Sequence, residues 1–279
     1  MRPLLGTLVA IRVYDLPEDA AHRAIDAAFA EIAATEQIMS FHRPDSDVSR
    51  LNREAYCEPV RVSPHTLLVL QLAQYFAAAT NGVFDITTAA QLVDWGLLPR
   101  PDGLVPPDPH ASWRDILVCT NGEVSFSRPL WVDLGGIAKG YAVDRAIVSL
   151  ARHRVRRCCV NAGGDLRVLG APAERIALRT AGRPAPLAAV VDLENGSLAS
   201  SGASLANLPL VPHVDGSNRR PVPSGQFVCV VAESCAVADA LTKPVLALGA
   251  RCVAVLRRFG ATAHFLGADG GWRHFGAAA

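Results

Sequence analysis

The sequence predicts a globular fold that combines helices with strands, and three observations support this prediction. Hydrophobic residues make up 50% of the 279 residues and charged residues 19%, which provides ample material for a core and excludes intrinsic disorder. Apolar residues recur at three- and four-residue spacing in several long segments, as on the buried face of a helix. Short apolar runs bounded by turn-forming residues, typical of strands, lie between these segments.

The charge balance and the cysteine pattern exclude several classes of function. There are 27 Lys and Arg residues against 26 Asp and Glu residues, which gives no electrostatic case for nucleic acid or an anionic membrane as the main partner. The sequence predicts no transmembrane helix and no signal peptide, so we expect a cytoplasmic protein, or a periplasmic one if a leader is missing. The seven cysteines form no CxxC pair, which favours free, mostly buried thiols over a disulfide framework or a zinc site.

The N-terminal half is predicted to begin with a strand and two helices. The second helix has the clearest start, because Ser63 is a good N-cap and Pro64 suits the first helical position. Five prolines between residues 99 and 109 predict a surface loop. The predicted elements are a strand over 9–13, a helix over 17–39, a loop over 40–47 and a helix from 64 to about 79.

The chain from residue 130 onward is predicted to contain most of the strands. Strands are predicted over 130–134, 158–161, 166–169 and 227–232, and a hairpin over 262–266 and 272–275. One helix is predicted after the glycines that follow residue 134, with Val143, Ala146, Ile147 and Leu150 on one face. Another is predicted after Ser234, with Val237, Leu241, Val245 and Leu248 on one face; Pro244 should kink it near Ala240.

The segment from Asp133 to Asp144, DLGGIAKGYAVD, carries the strongest local signal for chemistry. An acidic residue ends the predicted strand, two glycines turn the chain and a helix begins. The N–H groups at a helix start suit phosphate, and Lys139 adds a cation. The spacing is neither that of a Walker A loop nor that of a Rossmann motif. From the residues alone, phosphate binding and an ordinary glycine-rich turn both stay open.

Two further segments contain candidate functional residues. Phe84 and Asp85 follow a helix, where they could orient a ring system or simply place a phenylalanine in the core. Asp239 lies among apolar residues, where an unpaired charge is costly, so its partner should be a metal ion, a lysine or an arginine. Only two of the basic residues are lysines, Lys139 and Lys243, and both lie in or beside these motifs.

The ordered set of motifs resembles that of the ApbE family over nearly the whole chain. The motifs are Leu5-Gly6-Thr7, Arg43-Pro44-Asp45-Ser46-Asp47 with Leu51-Asn52, Thr80-x-Gly82-x-Phe84-Asp85, the segment from Asp133 to Asp144, Asn161-Ala-Gly-Gly-Asp165, His213 and Ala238-Asp239-Ala240-Leu241. The resemblance implies an α+β, ApbE-like and T-fold-related single domain over residues 1–279. Such a domain has mixed or antiparallel sheets, packed helices and an FAD cleft.

The resemblance also implies a reaction, because ApbE members are FAD:protein FMN transferases. Magnesium is expected to bind the FAD pyrophosphate while a threonine or serine hydroxyl of a target protein attacks the FMN phosphorus and AMP leaves. The target, a subunit of a redox-driven ion pump or a related respiratory system, becomes a covalent flavoprotein. Phosphoryl transfer of this type needs mainly positioning and charge neutralisation.

Position within the motifs assigns expected roles to individual residues. The resemblance implies FAD contacts by Leu5, His42, Val83, Phe84, Asp85, Asp133 and Lys139. It implies magnesium ligands at the Gly136 carbonyl, the Asp239 side chain and the end of the Ala238–Leu241 segment, where we expect Thr242 to be the ligand. It also requires Lys139 and Asp239 to face one pyrophosphate. Asp239 and His213 are the expected catalytic residues. His213 is a candidate general base or phosphate contact, with a histidine of a surface loop as the alternative.

Three positions depart from the family pattern. Leu5 replaces a usual Met, His42 replaces a usual Tyr, and Lys243 replaces a usual Thr four residues after Asp239. An ammonium group has no acceptor and cannot ligate magnesium. Either Thr242 completes the metal shell, which is the expectation, or Lys243 pairs with Asp239 and takes over part of the metal's charge. The alternatives to a transferase are a non-catalytic flavin-binding protein with an altered metal site and an FAD pyrophosphatase that uses water.

Overall fold

The structure is a computed structural model that describes residues 1–101, 105–178, 189–202, 213–223 and 225–276. The α-helices of this part of the chain are α1 (Glu18–Met39), α2 (Asp47–Glu54), α3 (Pro64–Ala79), α4 (Ala89–Asp94), α5 (Ala138–Arg152), α6 (Cys235–Leu248) and α7 (Val253–Arg258). Its strands are β1 (Arg2–Leu4), β2 (Thr7–Val13), β3 (Val60–Arg61), β4 (Ile116–Val118), β5 (Glu123–Phe126), β6 (Cys158–Ala162), β7 (Asp165–Leu169), β8 (Glu174–Leu178), β9 (Ala189–Leu193), β10 (Ser197–Gly202), β11 (Val214–Asp215), β12 (Arg220–Pro221), β13 (Phe227–Ala232), β14 (Thr262–Leu266) and β15 (Trp272–Gly276).

These elements form two compact units. The first unit contains Met1–Ala34, Lys139–Val211 and Pro223–Ala279, and the second contains Thr35–Ala138 and Pro212–Val222. The strand pairs of the described residues are antiparallel in both units. The α+β class with antiparallel sheets is therefore confirmed, whereas the single domain over residues 1–279 stays a prediction.

The first unit is built on an eight-stranded antiparallel sheet with the order β1-β2-β6-β7-β10-β13-β14-β15. Side chains alternate between the two faces of a strand, and both faces of β6 are covered. Cys158 and Val160 point to the face packed by α1 and α5. Cys159 points to the opposite face, where Leu178 of β8 and Leu193 of β9 pack. The eight-stranded sheet thus has helices on one face and the two-stranded sheet β8-β9 on the other.

The second unit contains α2, α3, α4 and the three-stranded sheet β3-β5-β4. As predicted, α3 begins after Ser63, whose side chain accepts a hydrogen bond from the backbone N–H of Thr66 at 3.0 Å, with Pro64 in its first turn. At the other end of α3, the Thr80 hydroxyl accepts a hydrogen bond from the Phe84 N–H at 3.0 Å. This bond fixes the segment that contains Phe84 against the end of the helix.

The predicted strand over 130–134 is wrong, although its apolar residues are buried. The Asn52 side chain donates to the Val132 carbonyl at 3.0 Å and accepts from the Val132 N–H at 2.7 Å. The Asp133 N–H donates to the Ile86 carbonyl at 2.8 Å. A side-chain amide and a single carbonyl therefore satisfy the groups that a neighbouring strand would otherwise bind.

The other predicted elements agree closely with the structure. The strand over 227–232 has the predicted bounds, and the C-terminal hairpin is present as β14 and β15. Pro244 lies inside α6, which runs on to Leu248. The described part of the proline-rich loop over 99–109 has neither helix nor strand, and residues 102–104 lie outside the described residues. In the ranges that the structure describes, no helix has the length and hydropathy needed to cross a membrane.

Burial divides the seven cysteines into two reactivity classes. Cys57 and Cys119 are exposed and the other five are buried. Burial raises the pKa of Cys158 to about 12 and that of Cys159 to about 11, so these groups stay protonated and unreactive near pH 8. We expect Ellman's reagent to modify two thiols in the native protein and seven after denaturation. Absorbance of the released thiolate measures this number, and fast native reaction of a third thiol would contradict the burial pattern.

Candidate functional site

The residues expected to bind FAD and magnesium are divided between the two units. Leu5, Lys139, Asp239 and Thr242 belong to the first unit. His42, Val83, Phe84, Asp85, Asp133, Gly136 and His213 belong to the second unit.

In the first unit, two buried aspartates and the two lysines of the chain form one group, the Lys–Asp cluster (Lys139, Asp165, Asp239 and Lys243). Lys139 Nζ donates to Asp165 Oδ2, and Lys243 Nζ donates to Asp239 Oδ1 and, at 3.0 Å, to the Asp239 carbonyl. Both aspartate side chains are 1% exposed, whereas Lys139 is 33% and Lys243 15% exposed. Lys139 and Asp239 are close enough for the charge of each to shift the pKa of the other.

Asp165 is positioned by the tight turn that joins β6 to β7. Gly163 and Gly164 form this turn with positive φ values of 67° and 105°. A Cβ on Gly163 would lie 2.4 Å from Thr7 Oγ1, and one on Gly164 would lie 2.6 Å from Ser200 Oγ. Only glycine satisfies both the backbone conformation and this close approach. The carboxylate that follows the turn is thereby fixed on the face of the sheet covered by α5.

Helix α5 holds the first turns of α6 through two residues of the glycine-rich motif. The Gly140 N–H donates to Asp239 Oδ2 at 3.1 Å, and a Cβ on Gly140 would lie 2.3 Å from the Cys235 carbonyl oxygen. One helical turn later, the Asp144 carboxylate accepts from the N–H groups of Cys235 at 3.0 Å and Ala236 at 2.9 Å. Because these N–H groups lack partners within α6, Asp144 acts as a cap. These contacts between α5 and α6 set the position of Asp239.

The charges of the Lys–Asp cluster balance at neutral pH. Burial acts to raise the pKa of Asp239, but the charges of Lys243 and Lys139 outweigh it and hold this pKa below its usual value. Burial and the charge of Asp239 raise the pKa of Asp165 to about 6, against the opposing effect of Lys139. Burial acts to lower the pKa of Lys139, but Asp239 and Asp165 raise it above its usual value. Two ammonium groups therefore face two carboxylates.

The contacts of Asp239 and Thr242 do not fit the expected magnesium site. Magnesium takes near-octahedral oxygen ligands at about 2.1 Å, but Asp239 Oδ1 binds the Lys243 ammonium and Oδ2 binds the Gly140 N–H. The fully buried Thr242 hydroxyl donates to the Asp239 carbonyl at 2.7 Å and accepts from Ser201 Oγ at 3.0 Å. A dication on Asp239 would also be repelled by Lys243. Within the described ranges, no three His, Cys, Asp or Glu residues form a metal-binding group.

Leu5 lies in the two-residue turn between β1 and β2. Its φ is 55° and that of Gly6 is 68°, and the flanking residues Leu4 and Thr7 pair with each other. Positive φ at both central residues is typical of a type I′ hairpin turn, but it is unusual for leucine. Thr7 contacts the Gly163 position, so this turn lies at the same end of the sheet as the turn before Asp165.

In the second unit, Phe84 and Asp85 are both buried and both have structural partners. The Phe84 ring packs against Phe76 with centroids 5.9 Å apart. Asp85 Oδ1 accepts from the N–H and the hydroxyl of Thr87, both at 2.8 Å, and Oδ2 accepts from Arg219 Nη2 at 3.1 Å. Burial raises the pKa of Asp85, and the positive charge of Arg219 opposes that effect. Asp85 therefore anchors the segment that carries Arg219.

Arg219→Met should lower the free energy of unfolding by about 2 kcal/mol, because it removes hydrogen bonds between charged groups and leaves Asp85 buried without its cation. The guanidinium also donates to Thr87 Oγ1 at 2.8 Å and to the Ala111 carbonyl at 2.7 Å. Urea unfolding followed by circular dichroism measures the loss. The control is Arg220→Met at the exposed neighbouring residue, expected within about 0.5 kcal/mol of wild type. Equal losses in both variants would contradict this role.

The glycine-rich turn and His213 both belong to the second unit. Asp133 Oδ1 accepts from the Gly135 N–H at 3.1 Å, and the half-buried Gly136 follows in the same turn. The half-buried His213 accepts a backbone hydrogen bond from the Val222 N–H at 3.0 Å. Residues 203–212 lie outside the described residues. Roles for these residues in FAD binding or catalysis stay predictions.

Two cavities of the second unit are lined by side chains able to bind ring systems or polar groups. His42 and Asn52 line a cavity of about 370 Å³. Trp131, Arg219 and Gln91 line another of about 370 Å³. Three atoms of these side chains, Trp131 Nε1, Arg219 Nη1 and Gln91 Oε1, are buried and have no hydrogen-bond partner within the chain.

The sequence predicts no role for three residues that organise the Lys–Asp cluster or the surroundings of Asp85. Asp165 belongs to a motif of the resemblance, and a carboxylate at the start of an apolar strand is the signal that a cation should lie nearby. Asp144 ends the glycine-rich motif, four residues after Gly140 and hence on the same helix face. For Arg219, which lies 134 residues from Asp85, the sequence holds no corresponding signal.

Comparison with known proteins places this arrangement in a family. The chain matches the model of the ApbE family over residues 5–265. The FAD:protein FMN transferase of Treponema pallidum is 28% identical over 183 residues, 60% of this chain and 50% of that protein. The enzyme of the same name from Vibrio cholerae is 27% identical over 268 residues, 88% of this chain and 80% of that protein. The matched region thus spans half the length of the Treponema relative.

Solved structures give the same result. A mutant of the flavin transferase ApbE from Vibrio cholerae is 26% identical, with a TM-score of 0.81 over 98% of this chain and 94% of that one. The ApbE protein of Thermotoga maritima, at 24% identity and a TM-score of 0.84 over the same shares, has the same fold. Since the family model covers nearly the entire chain, the resemblance found in the motifs is confirmed, and the chain belongs to the ApbE family.

Proposed function

We propose that this chain is an FAD:protein FMN transferase, which moves FMN from FAD to a threonine or serine hydroxyl of a target protein and releases AMP. The observation that carries this proposal is the family match over residues 5–265. The proposed target is a subunit of a redox-driven ion pump or a related respiratory system. The curated relatives bear the name of this activity.

The proposed reaction is a displacement at phosphorus. The hydroxyl oxygen forms a bond to the phosphorus of the FMN half, and the bond from that phosphorus to the bridging oxygen of the pyrophosphate breaks. AMP leaves with the bridging oxygen, and the hydroxyl proton passes to a base, for which His213 is the proposed group. No step is assigned to magnesium, because the contacts of Asp239 and Thr242 do not fit that ion.

The Lys–Asp cluster supports this proposal because it offers cations for a pyrophosphate. Catalysis of phosphoryl transfer depends mainly on positioning and on neutralising charge. Lys139 has three N–H donors, is one-third exposed and is held by a buried carboxylate. In the second unit, His42 is proposed to stack on a ring of FAD, and Asp133 to orient the nucleotide beside the glycine-rich turn.

Mass spectrometry of a candidate acceptor subunit tests the activity directly. The purified chain is incubated with FAD, magnesium and the acceptor, and AMP is measured in parallel. The expected result is a mass gain of one FMN phosphoester on a threonine or serine, with one AMP released for each acceptor modified. Free FMN and AMP without acceptor labelling would indicate a pyrophosphatase instead. FAD binding with neither product would indicate a non-catalytic flavin-binding protein.

A further inference from the structure

Both lysines of this chain are held in one place by buried carboxylates. The remaining basic residues are arginines, so the ammonium group occurs on side chains only in the Lys–Asp cluster. Lys243 lies four residues after Asp239 on α6, which puts both side chains on the same helix face. An ammonium is a compact point charge, whereas a guanidinium is a wide planar fork. The cluster therefore concentrates the chain's compact cations beside Asp165 and Asp239.

Lys243 binds the Asp239 oxygen atom that a metal ion would need as a ligand. Its Nζ binds both Asp239 Oδ1 and the Asp239 carbonyl, while the Gly140 N–H takes Oδ2. The neighbouring hydroxyl of Thr242 is turned into the protein and bound to Ser201. The Asp239 oxygens and the Thr242 hydroxyl, which are the oxygens of α6 expected to ligate the metal, therefore already have partners from the chain itself. A divalent ion would have to displace Lys243 and then remain beside its charge.

The ammonium groups of both lysines have N–H donors beyond those that bind the two aspartates. Each ammonium has three N–H groups. Lys243 uses two on Asp239, and the hydrogen bond recorded for Lys139 uses one on Asp165. Both side chains reach solvent, at 15% and 33% exposure, although their carboxylate partners are buried. The cluster can therefore donate to phosphate oxygens without giving up its internal ion pairs.

We infer that Lys243 supplies the positive charge otherwise expected from magnesium, so that this site binds the FAD pyrophosphate without a divalent cation. This inference rests on the proposed function for the identity of the ligand. The exclusion of the metal does not depend on the proposed function, because it follows from the contacts of Asp239 alone. In such a site, the positive charge that balances the pyrophosphate belongs to a side chain of the protein instead of a bound metal ion.

The inference is tested by FAD binding, followed by flavin fluorescence, in EDTA and in excess magnesium. For the wild-type chain we expect the two dissociation constants to agree within about threefold, a difference of less than 1 kcal/mol. Lys243→Thr removes the ammonium and exposes Asp239, so its binding should become at least about tenfold weaker in EDTA than in magnesium. Lys243→Arg keeps the charge and should remain independent of magnesium. Circular dichroism and thermal unfolding verify that both variants are folded.

A titration with Mn²⁺, followed by its electron paramagnetic resonance signal, tests the exclusion of the metal separately. The wild-type chain should leave Mn²⁺ free at concentrations where Lys243→Thr binds one ion. Tight Mn²⁺ binding by the wild type, or FAD binding that needs magnesium, would overturn the inference and leave the proposed function standing. If FAD binds in neither condition, the proposed function fails, and the Mn²⁺ result alone then supports or overturns the replacement of the metal by Lys243.

Discussion

Asp239→Ala should abolish FMN transfer and lower the free energy of unfolding by about 3–5 kcal/mol. The alanine leaves the Lys243 ammonium without its carboxylate and removes the acceptor of the Gly140 N–H. It also withdraws one of the two carboxylate charges that raise the pKa of Lys139. Transfer is measured by mass spectrometry of the acceptor, and stability is measured by urea unfolding.

A double variant separates the loss of chemistry from the loss of stability. Replacing a buried ion pair by apolar residues of similar volume is often close to neutral for stability. Asp239→Leu combined with Lys243→Met should therefore regain most of the stability lost in Asp239→Ala, while transfer stays at least about two orders of magnitude below wild type. Full transfer activity in this double variant would show that the Asp239–Lys243 pair has no part in the reaction.

Gly140→Ala is expected to cost about 3 kcal/mol of stability and about 100-fold in transfer rate. The added Cβ would lie 2.3 Å from the Cys235 carbonyl oxygen, 2.6 Å from its carbon and 2.9 Å from the Ala236 Cα. All three atoms are backbone, so α6 must move away from α5 as a unit. Asp239 moves with α6, and its distance from Lys139 changes.

The matched control is Gly135→Ala in the turn before α5. There the nearest atoms to an added Cβ belong to the Asp133 side chain rather than to the backbone, the closest at 3.0 Å. We expect its thermal unfolding midpoint to stay within a few degrees of wild type, which for a chain of this size corresponds to about 1 kcal/mol. If Gly140→Ala were as stable as this control, the close approach of α5 and α6 would not matter for the fold.

The sequence predicts the elements whose local signals agree with their final packing. The Ser63–Pro64 start of α3 is one example, because an N-cap and a first-turn proline act within one turn of helix. The strand over 227–232 is another, since its apolar run is bounded by clear turn signals. The same rule fails for 130–134, where a distant Asn52 side chain takes the place of a paired strand. No local pattern encodes a contact between residues 80 positions apart.

The candidate site was predictable where one motif holds all the required groups. The 133–144 segment contains Lys139, Gly140 and Asp144. In the structure Gly140 and Asp144 bind α6, and Lys139 binds Asp165 of β7. The sequence leaves the partner of Asp239 open, because a metal ion, a lysine and an arginine are all acceptable partners for a buried carboxylate. The structure selects Lys243 from the same helix, one turn away.

The confinement of lysine to one cluster has a practical consequence for labelling. Amine-directed reagents meet only the α-amino group and the side chains of Lys139 and Lys243, because every other basic side chain is an arginine. Acylation of a lysine side chain would therefore report on the occupancy of this cluster rather than on general surface accessibility. A pyrophosphate bound at the proposed site should shield both ammonium groups, so protection of Lys139 and Lys243 from acylation would report on its binding.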